Sequence, residues 1–430
     1  MSDTLRIGIA GLGTVGVGTV KLLRQNKNIL AERCGREIVV TAVSARDIGI
    51  NRGVSLSDFR WHGDAVALAT DKNVDVVVEL IGGSDGIARE LVEVALDNGK
   101  HVVTANKALI AHHGDALAMV AENSGLVLAY EASVAGGIPI IKALREGLSA
   151  NTIDHVYGIL NGTCNYILSS MRETGKEFQT VLAEAQDLGY AEADPAFDVE
   201  GIDAAHKLSI LASLAFGCGV NFDAVHVEGI GQVSPMDIEF AAELGYRIKL
   251  LGITCRVLNG IEQRVHPCMV PLDSPIANVE GVFNAVVVDG DQVETTLFEG
   301  RGAGEGPTSS AVVADIADIA CGRNSRAFGI PASKLAKLNT VAMSERVGSY
   351  YVRFTVIDKP GVFAVIAAAL GDHDVSMEAV LQRGRAPGEP VSVVLTTHET
   401  READMIATIK TIDKTEAVVE PTRMIRIERF

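Results

Sequence analysis

Short apolar runs alternate with helical patterns along the first third of the chain. Runs rich in β-branched residues occupy positions 5–10, 38–44, 74–81, 101–104 and 126–130. Helical patterns follow the first run to about Gln25 and the third to about Asn98. Because apolar runs separated by helices are typical of parallel strands buried on both faces, this part predicts an open parallel sheet with helical crossovers.

A different pattern begins at about Pro139. A strand over 153–160 leads into a helix, and further helices are predicted over 178–188 and 309–320. Four stretches alternate apolar and polar residues, at 246–257, 261–270, 285–288 and 293–299. The alternation predicts a mostly antiparallel sheet, which is a candidate surface for oligomerisation.

The last part of the chain forms a small unit of its own. A polar stretch over about 335–348 is predicted as a linker or a final helix. Strands then follow at 350–357, 375–382, 391–397 and 418–427, with helices at 362–370 and 401–412. The order βαββαβ is the ferredoxin-like arrangement. No catalytic group of residues is evident in it, so a ligand-sensing or pairing role is favoured over a second active site, and a role in assembly alone remains an alternative.

Composition narrows the class of partner. The chain has 430 residues, a formal charge of -17 and a sequence pI of about 5.1. Without a basic stripe, nucleic acid and anionic membranes are not expected as partners, and a small polar molecule fits better. Six cysteines lack CxxC spacing, and neither a signal peptide nor a membrane span is evident, so we expect a soluble cytoplasmic protein with reduced thiols.

The glycine turn after the first strand indicates dinucleotide binding. It consists of Gly11, Leu12, Gly13, Thr14, Val15 and Gly16, between a strand and a helix. Glycines in that context let the backbone approach a pyrophosphate at the helix N-terminus. A tight turn without a ligand is the alternative.

The end of the second strand bears on the choice of cofactor. It lacks the acidic residue that would bind a ribose 2′-hydroxyl, and Arg46 follows instead, which suits a 2′-phosphate. This favours NADP, although the adjacent Asp47 leaves NAD open.

Several loops at the predicted strand ends carry candidate chemistry. Lys107 follows a strand at the edge where ligands of parallel sheets bind, although an ordinary loop lysine is the alternative. Residues 131–139 combine a carboxylate with a glycine-rich turn whose carbonyls suit a monovalent cation, unless it is a plain turn. Hydroxyl and amide donors begin the helix after position 161. The glycine-rich loop 300–308 precedes another helix and suits phosphate or nicotinamide contact, or serves as a connector.

The acidic stretch 189–207 runs into a further helix. Its carboxylates are Glu192, Asp194, Asp198, Glu200 and Asp203. Asp203 stands four positions before Lys207, so both side chains share one helix face. Such a group can hold an ammonium ion and one lysine as a proton donor, and a solvated loop with a surface ion pair is the alternative.

These patterns predict an α/β protein of three domains. Residues 1–135 are predicted as a Rossmann dinucleotide-binding domain, completed by about 303–335. Residues 136–302 form an α+β domain for substrate binding and dimerisation, and 336–348 a linker. Residues 349–430 form the ferredoxin-like domain.

Taken together, the motifs resemble those of homoserine dehydrogenases across essentially the whole chain, and the tail from Tyr350 resembles an ACT regulatory domain. The motifs are the glycine turn, Thr104 to Lys107, Glu131 to Pro139, Asn161 to Tyr166, the acidic stretch, and Gly302 to Thr308. The resemblance implies NAD(P)-dependent interconversion of L-homoserine and L-aspartate 4-semialdehyde, on the route to threonine, methionine and isoleucine. Another semialdehyde oxidoreductase and a nonenzymatic amino-acid sensor are the rival hypotheses.

The resemblance also implies roles for individual residues. Lys207 matches the proton-transfer lysine, and Lys107 a second active-site lysine that touches cofactor. The implied substrate residues are Glu192, Asp198, Asp203, Gly162 and Thr163. Thr104 and Gly304 match cofactor contacts, and the implied Na⁺ or K⁺ ligands are Glu131, Val134, Gly136 and Ile138. The sequence departs from the family pattern at Ala193, where proline is common, and at His206, where a basic residue is common.

For the tail, the resemblance implies feedback inhibition by L-threonine. A turn begins a helix there, and its amides suit an amino-acid carboxylate, with Asp358, Pro360, Gly361 and Val362 as the candidate residues. We expect a homodimer or homotetramer.

Overall fold

The first sheet of the computed structural model, which describes residues 4–384 and 386–430, is parallel throughout and has six strands. They are β1 Thr4–Ala10, β2 Glu37–Ser44, β3 Arg60–His62, β4 Val76–Glu79, β5 His101–Thr104 and β6 Leu128–Ala129. Their order is β3-β2-β1-β4-β5-β6. Strands β2 and β3 are added on one side of β1, and β4 to β6 on the other. This change of strand order between β1 and β4 creates the crevice where such sheets bind ligands. The predicted strands of this region are confirmed, and β3 is a further strand that the sequence pattern did not predict.

Five helices connect these strands. They are α1 Thr14–Gln25, α2 Lys27–Cys34, α3 Ala67–Thr70, α4 Ile87–Asp97 and α5 Lys107–Asn123. On β1 and β4, Ile7, Ile9, Val76 and Val78 are fully buried, as strands covered on both faces require.

The middle of the chain builds the second sheet and the helices that cover it. The elements are α6 Ile140–Lys142, β7 Ile153–Ile159, α7 Gly162–Thr174, α8 Phe178–Asp187, α9 Ala196–Val199, α10 Ile202–Phe216, β8 His226–Val227, α11 Pro235–Glu243, β9 Tyr246–Val257, β10 Gly260–Pro271, β11 Phe283–Gly290, β12 Glu294–Arg301 and α12 Glu305–Ala320. A wide helical turn over Ala143–Gly147 extends α6. Strands β7, β9, β10, β11 and β12 pair in antiparallel fashion, as predicted. Helix α12 returns to the first sheet, where Val312 and Ile316 join its core.

The C-terminal elements continue the same sheet. They are β13 Val347–Ile357, α13 Val362–Asp372, β14 Met377–Gln382, β15 Pro390–Thr397, β16 Thr400–Arg401, α14 Glu402–Ile412 and β17 Val418–Ile427. The strand order β17-β13-β15-β14 is that of the predicted ferredoxin-like arrangement. β17 also pairs in parallel with β10, through Cys268 with Arg426 and Met269 with Ile427. The C-terminal elements therefore share one sheet with the middle of the chain.

The polar stretch 335–348 is extended apart from one short turn at Met343–Glu345, so the alternative of a final helix is wrong. Its backbone is paired instead: the carbonyl oxygen of Asn339 accepts from Ile261, and Val341 donates back to Ile261. Pairing with β10 satisfies the backbone groups that a helix would otherwise satisfy internally. No helix in the part of the chain that the structure describes is long and apolar enough to cross a membrane.

Candidate active site

Two lysines share one buried carboxylate where the first sheet meets α10. The Nζ atom of Lys107 lies 3.0 Å from Oδ1 of Asp203, and Nζ of Lys207 lies 2.7 Å from Oδ2. Asp203 and Lys207 are both buried, so the alternative of a surface ion pair is wrong. The arrangement brings together three residues of the predicted site that lie on two different helices, with 100 positions between Lys107 and Lys207.

The two lysines differ in exposure and partners. Lys207 donates a second hydrogen bond to the carbonyl oxygen of Leu160 at 2.7 Å, and its side chain is almost fully enclosed. The side chain of Lys107 is 31% exposed, and its ammonium lies 5.5 Å from the centre of the Phe197 ring. Lys207 is therefore the inner and Lys107 the outer ammonium of the pair.

Backbone capping places Lys107 at the sheet edge. Asn106 caps α5, because its side-chain oxygen accepts from the amide of Leu109 at 3.1 Å. Its side-chain amide donates to the carbonyl oxygen of Gly83, 2.7 Å away in the loop after β4. Lys107 is the first residue of α5 and so starts from a fixed position.

Asn161 joins the two acidic residues on the other side of the site. Its Nδ2 atom lies 2.8 Å from Oδ1 of Asp198 and 2.8 Å from Oδ2 of Asp203. Its oxygen caps α7 by accepting from Cys164. The sequence indicated donors at this helix start but not that one amide would bridge two carboxylates.

The pKa values follow from these contacts. Burial alone would raise the pKa of Asp203, but the charges of Lys207 and Lys107 hold it well below its usual range. Asp203 is thus ionised. Burial, and then the charge of Asp203, raise the pKa of Asp198 above its ordinary value.

The rest of the acidic stretch is more open. Glu192 is exposed, and none of the residues that the structure describes donates a hydrogen bond to its carboxylate. The hydroxyl of Thr163 donates to the carbonyl oxygen of Tyr190 at 2.8 Å, which ties this stretch to the start of α7. Gly162 has no room for a side chain, since a Cβ would meet the carbonyl oxygen of Val282 at 2.7 Å. Asp194 accepts from the nearby amide of Ala196.

An aromatic cluster that sequence reasoning missed lies beside the lysine pair. The His206 ring stacks on Phe222 at 4.2 Å, and the rings of Phe197 and His112 lie within 5.6 Å of it. Burial, helped by His112 and Lys107, lowers the pKa of His206 to about 4. His206 is therefore neutral at pH 7, in contrast to the basic residue common in the family. The sequence singled out His206 as a departure from the family pattern but gave no sign of its aromatic neighbours.

The glycine turn fits a dinucleotide. Gly11 has a φ of 95°, and a Cβ there would meet the carbonyl oxygen of Leu80 at 2.4 Å. A Cβ on Gly16 would meet the carbonyl oxygen of Gly11 at 2.0 Å, whereas Gly13 faces open space. Since Gly13 provides no side-chain cap, the first-turn amides of α1 remain available to a phosphate. Leu12 is buried beneath the turn, and Thr14 is exposed.

A second helix start lies against α1. Gly304 precedes α12 with a φ of 120° and no side-chain cap. A Cβ on Gly18 would meet Oγ of Ser309 at 2.4 Å, so α1 and α12 approach closely. The predicted cofactor residue Gly304 is thus near the glycine turn.

The other predicted cofactor residues, Arg46 and Thr104, lie outside the glycine turn. Arg46 is exposed. The basic side chain that touches the glycine turn is Arg52, which donates to the carbonyl oxygen of Leu12 at 3.2 Å and to that of Asp47 at 2.5 Å. Thr104 is fully buried, and its hydroxyl donates to Glu79 at 2.6 Å. Sequence reasoning did not select Arg52 or Glu79.

The predicted cation loop surrounds a buried carboxylate. The two oxygens of Glu131 accept from the amides of Ile141 and Lys142 at 3.0 and 2.9 Å. Burial, and then the neighbouring Asp315, raise the pKa of Glu131 to about 7. Val134 and Ile138 are buried, and Gly136 packs so closely on Gly302 that a Cβ would lie 2.3 Å from its carbonyl oxygen.

The candidate effector residues lie in the C-terminal elements. Gly361 precedes α13 with a φ of 95° and no side-chain cap, between the exposed Pro360 and the half-buried Val362. The carboxylate of Asp358 accepts from the amide of Ala386 at 2.9 Å. This helix start is separate from the lysine pair.

Comparisons with known proteins identify the family of the chain. A family model described as homoserine dehydrogenase matches residues 139–317, and one described as homoserine dehydrogenase, NAD binding domain, matches residues 11–131. The chain is 47% identical to a homoserine dehydrogenase of Neisseria gonorrhoeae, over 99% of this chain and 98% of that one. The crystal structure of a homoserine dehydrogenase from Thiobacillus denitrificans superposes with a TM-score of 0.93 at 46% identity, covering 99% of this chain and 98% of that one. A hyperthermophilic archaeal homoserine dehydrogenase in complex with NADPH matches with a TM-score of 0.63 at 27% identity, over 73% of this chain and 97% of that one.

Proposed function

The chain belongs to the homoserine dehydrogenase family, and we propose that Lys207 and Lys107 carry out the proton chemistry of its active site. The protein is an NAD(P)-dependent oxidoreductase that interconverts L-homoserine and L-aspartate 4-semialdehyde. The observation that carries the residue assignment is the buried carboxylate of Asp203 between the two ammonium groups, at 3.0 and 2.7 Å.

Lys207 is the proposed general acid in the direction of aldehyde reduction. An ammonium has three N–H donors, and Lys207 uses two of them, on Asp203 and on the carbonyl oxygen of Leu160. Among the described residues the third has no acceptor, so it is available to a substrate oxygen. The nicotinamide cofactor, when bound, supplies or accepts the hydride. As charge builds on the substrate oxygen, Lys207 stabilises it and delivers the proton, with Lys107 as the second ammonium.

The acidic stretch is the proposed site for the substrate's ammonium group. Glu192 offers an exposed carboxylate to which none of the described residues donates, and Asp198 lies next to the site at the bridging amide of Asn161. Gly162 and Thr163 would contact the substrate at the start of α7, and Asp203 would act through the lysines.

For the cofactor, we propose a preference for NADP over NAD. Its pyrophosphate would lie on the turn from Gly11 to Gly16, with Gly304, Thr104 and Lys107 as further contacts. Arg46 and Arg52 supply positive charge near this turn for a 2′-phosphate, and the archaeal relative is in complex with NADPH.

A monovalent cation, Na⁺ or K⁺, is proposed at the loop formed by Glu131, Val134, Gly136 and Ile138. Supporting it is the pKa of Glu131, which burial and then Asp315 raise to about 7. A bound cation would offset the cost of ionising that carboxylate.

The C-terminal ferredoxin-like unit is proposed as an ACT domain that binds L-threonine near Asp358, Pro360, Gly361 and Val362. The domain boundaries proposed are 1–135 with 303–335, 136–302 and 349–430, joined by 336–348. We also propose a homodimer or homotetramer in the cytoplasm.

One assay tests the proposed specificities together. Purified enzyme is given homoserine with either NAD⁺ or NADP⁺, with and without L-threonine, and reduced cofactor is followed by absorbance. We expect a higher kcat/KM with NADP⁺, and inhibition by threonine. Equal use of both cofactors would remove the NADP preference, and unchanged rates with threonine would remove the effector. L-serine is the control amino acid.

A further inference from the structure

A short segment, residues 226–230, lies between the C-terminal unit and the acidic stretch; we call it the bridging segment. It contains β8, which pairs in parallel with β10 through Val227 and Val265. The amide of Glu228 donates to the carbonyl oxygen of Val265 at 2.7 Å, and the amide of Ile230 donates to that of Val199 at 2.9 Å. The segment therefore contacts β10 on one side and the end of α9 on the other.

An ion pair connects this segment to the C-terminal unit. The guanidinium of Arg426, on β17, makes two hydrogen bonds to the carboxylate of Glu228, at 2.7 and 2.8 Å. Arg426 also contacts Glu402 at the start of α14, and its side chain is only 3% exposed. Two-point arginine–carboxylate pairs fix orientation as well as distance. Arg426, itself held by Glu402, thereby positions Glu228, which also makes a 2.8 Å hydrogen bond with His226 of the same segment.

The close packing of the bridging segment on α9 leaves little space between the two backbones. A Cβ on Gly229 would lie 2.3 Å from the carbonyl oxygen of Val199 and 2.6 Å from Cα of Glu200. Gly201 takes a φ of 86° against Val227. The two backbones touch directly, so a shift of the bridging segment has to move the end of α9.

From α9, direct contacts continue to the lysine pair. Asp198 precedes Val199 and accepts from Asn161 at 2.8 Å, and Asn161 donates to Asp203. Asp203 holds both ammonium groups. Each step from Arg426 to the lysines is a hydrogen bond, an ion pair, a backbone contact or a covalent link between chain neighbours, all among described residues.

We propose that Glu228 is a positioning residue through which Arg426 holds the acidic stretch in its substrate-binding arrangement. The proposal rests on the proposed role of that stretch in binding homoserine. Because coupling free energies are reciprocal, substrate bound at the acidic stretch also strengthens the Glu228–Arg426 contact.

The test is Glu228→Gln in the full-length enzyme. Glutamine keeps the shape but loses the charge, and Arg426 keeps Glu402 as a partner. The expected result is a rise of about 2- to 30-fold in KM for homoserine, with little change in kcat and unchanged dissociation constant for NADPH. Hydrogen–deuterium exchange of peptides covering 190–201 should become faster.

The matched control is Glu243→Gln. Glu243 also pairs with an arginine of the C-terminal unit, Arg383, but it lies at the end of α11, away from the acidic stretch. Gly229→Ala is a second variant, which displaces α9 without changing any charge and should reproduce the effects of Glu228→Gln. Circular dichroism checks that each variant is folded.

The outcomes separate this proposal from the proposed function. Faster exchange and a raised KM in Glu228→Gln and Gly229→Ala, with neither change in Glu243→Gln, support the proposal. Unchanged exchange in Glu228→Gln, or equal effects in Glu243→Gln, would overturn it. Faster exchange with an unchanged KM supports the coupling and contradicts substrate binding by the acidic stretch.

Discussion

Asp203 is the residue on which the site depends. A buried carboxylate is costly unless it is paired, and Asp203 has two ammonium partners and one amide donor. Burial would raise its pKa, but Lys207 and Lys107 lower it further than burial raises it. The immediate group carries two positive charges and one negative charge. That excess favours the charge that develops on a substrate oxygen.

The sequence indicated the members of this site better than their contacts. The four-residue spacing of Asp203 and Lys207 predicts a shared helix face, which the structure confirms. It could not predict that Asn161 would bridge Asp198 and Asp203, because that contact depends on how α7 and α10 pack. For the same reason Phe222, 15 positions after Lys207, gave no signal before folding placed it on His206.

Glu192→Ala tests the proposed contact with the substrate's ammonium. Losing a hydrogen bond to a charged group costs about 1.5–3 kcal/mol, so KM for homoserine should rise about 10- to 100-fold with kcat largely kept. Steady-state kinetics measure both. Asp194→Ala, in the same exposed stretch, is the control and should leave KM unchanged. A normal KM in Glu192→Ala would argue against the contact.

His206 makes a pH-dependent contribution to stability. Burial is the main cause that lowers its pKa to about 4, and the charges of His112, Lys107 and Lys207 act in the same direction. The charge of Asp203 opposes them. Its stabilising effect is complete above about pH 6.5 and is lost as the pH falls towards 4, because the unfolded chain takes up the proton first. Wild-type Tm should therefore fall more steeply than that of His206→Phe over this range.

Differential scanning fluorimetry at several pH values measures this difference. His155→Gln, at an exposed position, should follow the wild-type profile. Parallel wild-type and His206→Phe profiles between pH 6.5 and 4 would contradict a buried neutral histidine.

At the scale of elements, the hydrophobic pattern predicted the strands and helices that have a buried face. The strands of the first sheet were predicted because they are apolar on both sides. Helix α2 was not, because it buries none of its residues and so carries no periodic signal. Helix α11 was not predicted either, although the sequence carries its capping box of Ser234 and Asp237 and its first-turn Pro235. The stretch 335–348 was ambiguous, because its pairing with β10 is set by tertiary contacts.

The loop after β6 carries a prediction about cations. If Na⁺ or K⁺ binds beside Glu131, either ion should raise Tm and activity at constant ionic strength, with choline as the replacing cation. Burial and then Asp315 raise the pKa of Glu131 to about 7, which means that ionising this carboxylate is costly. A cation bound beside it would offset that cost. Glu131→Gln should lose the response. Glu146→Gln, at an exposed site, should keep it, and an identical response in Glu131→Gln would exclude this loop as the site.

At the scale of the whole molecule, the C-terminal unit is joined to the rest by a shared sheet and by buried charges. Arg353 on β13 donates to both oxygens of Asp237 on α11, at 2.7 and 3.1 Å, and Tyr351 donates to the same carboxylate. The side chains of Arg353 and Asp237 are 9% and 1% exposed. The sequence predicted a separate small unit after a linker, but it could not show this degree of attachment, because both partners look like ordinary surface charges.

Arg353→Met tests that attachment. It leaves the Asp237 carboxylate buried without its cation, and breaking a buried pair in this way typically costs about 3–5 kcal/mol. Chemical denaturation should show a loss of this order. The double variant Arg353→Met with Asp237→Asn should recover part of it, because the uncompensated charge is gone. A loss below about 1 kcal/mol would mean that the pair contributes little to the attachment.

The most direct test of the central claim is the rate of homoserine oxidation by Lys207→Ala. The account predicts that kcat falls about 100- to 10,000-fold while the dissociation constant for NADPH, from nicotinamide fluorescence, is unchanged. Lys27→Ala, which removes an exposed lysine paired with Glu37 at the start of β2, is the control and should keep its activity. Near-normal kcat in a folded Lys207→Ala enzyme would contradict the assignment of Lys207 as the proton donor.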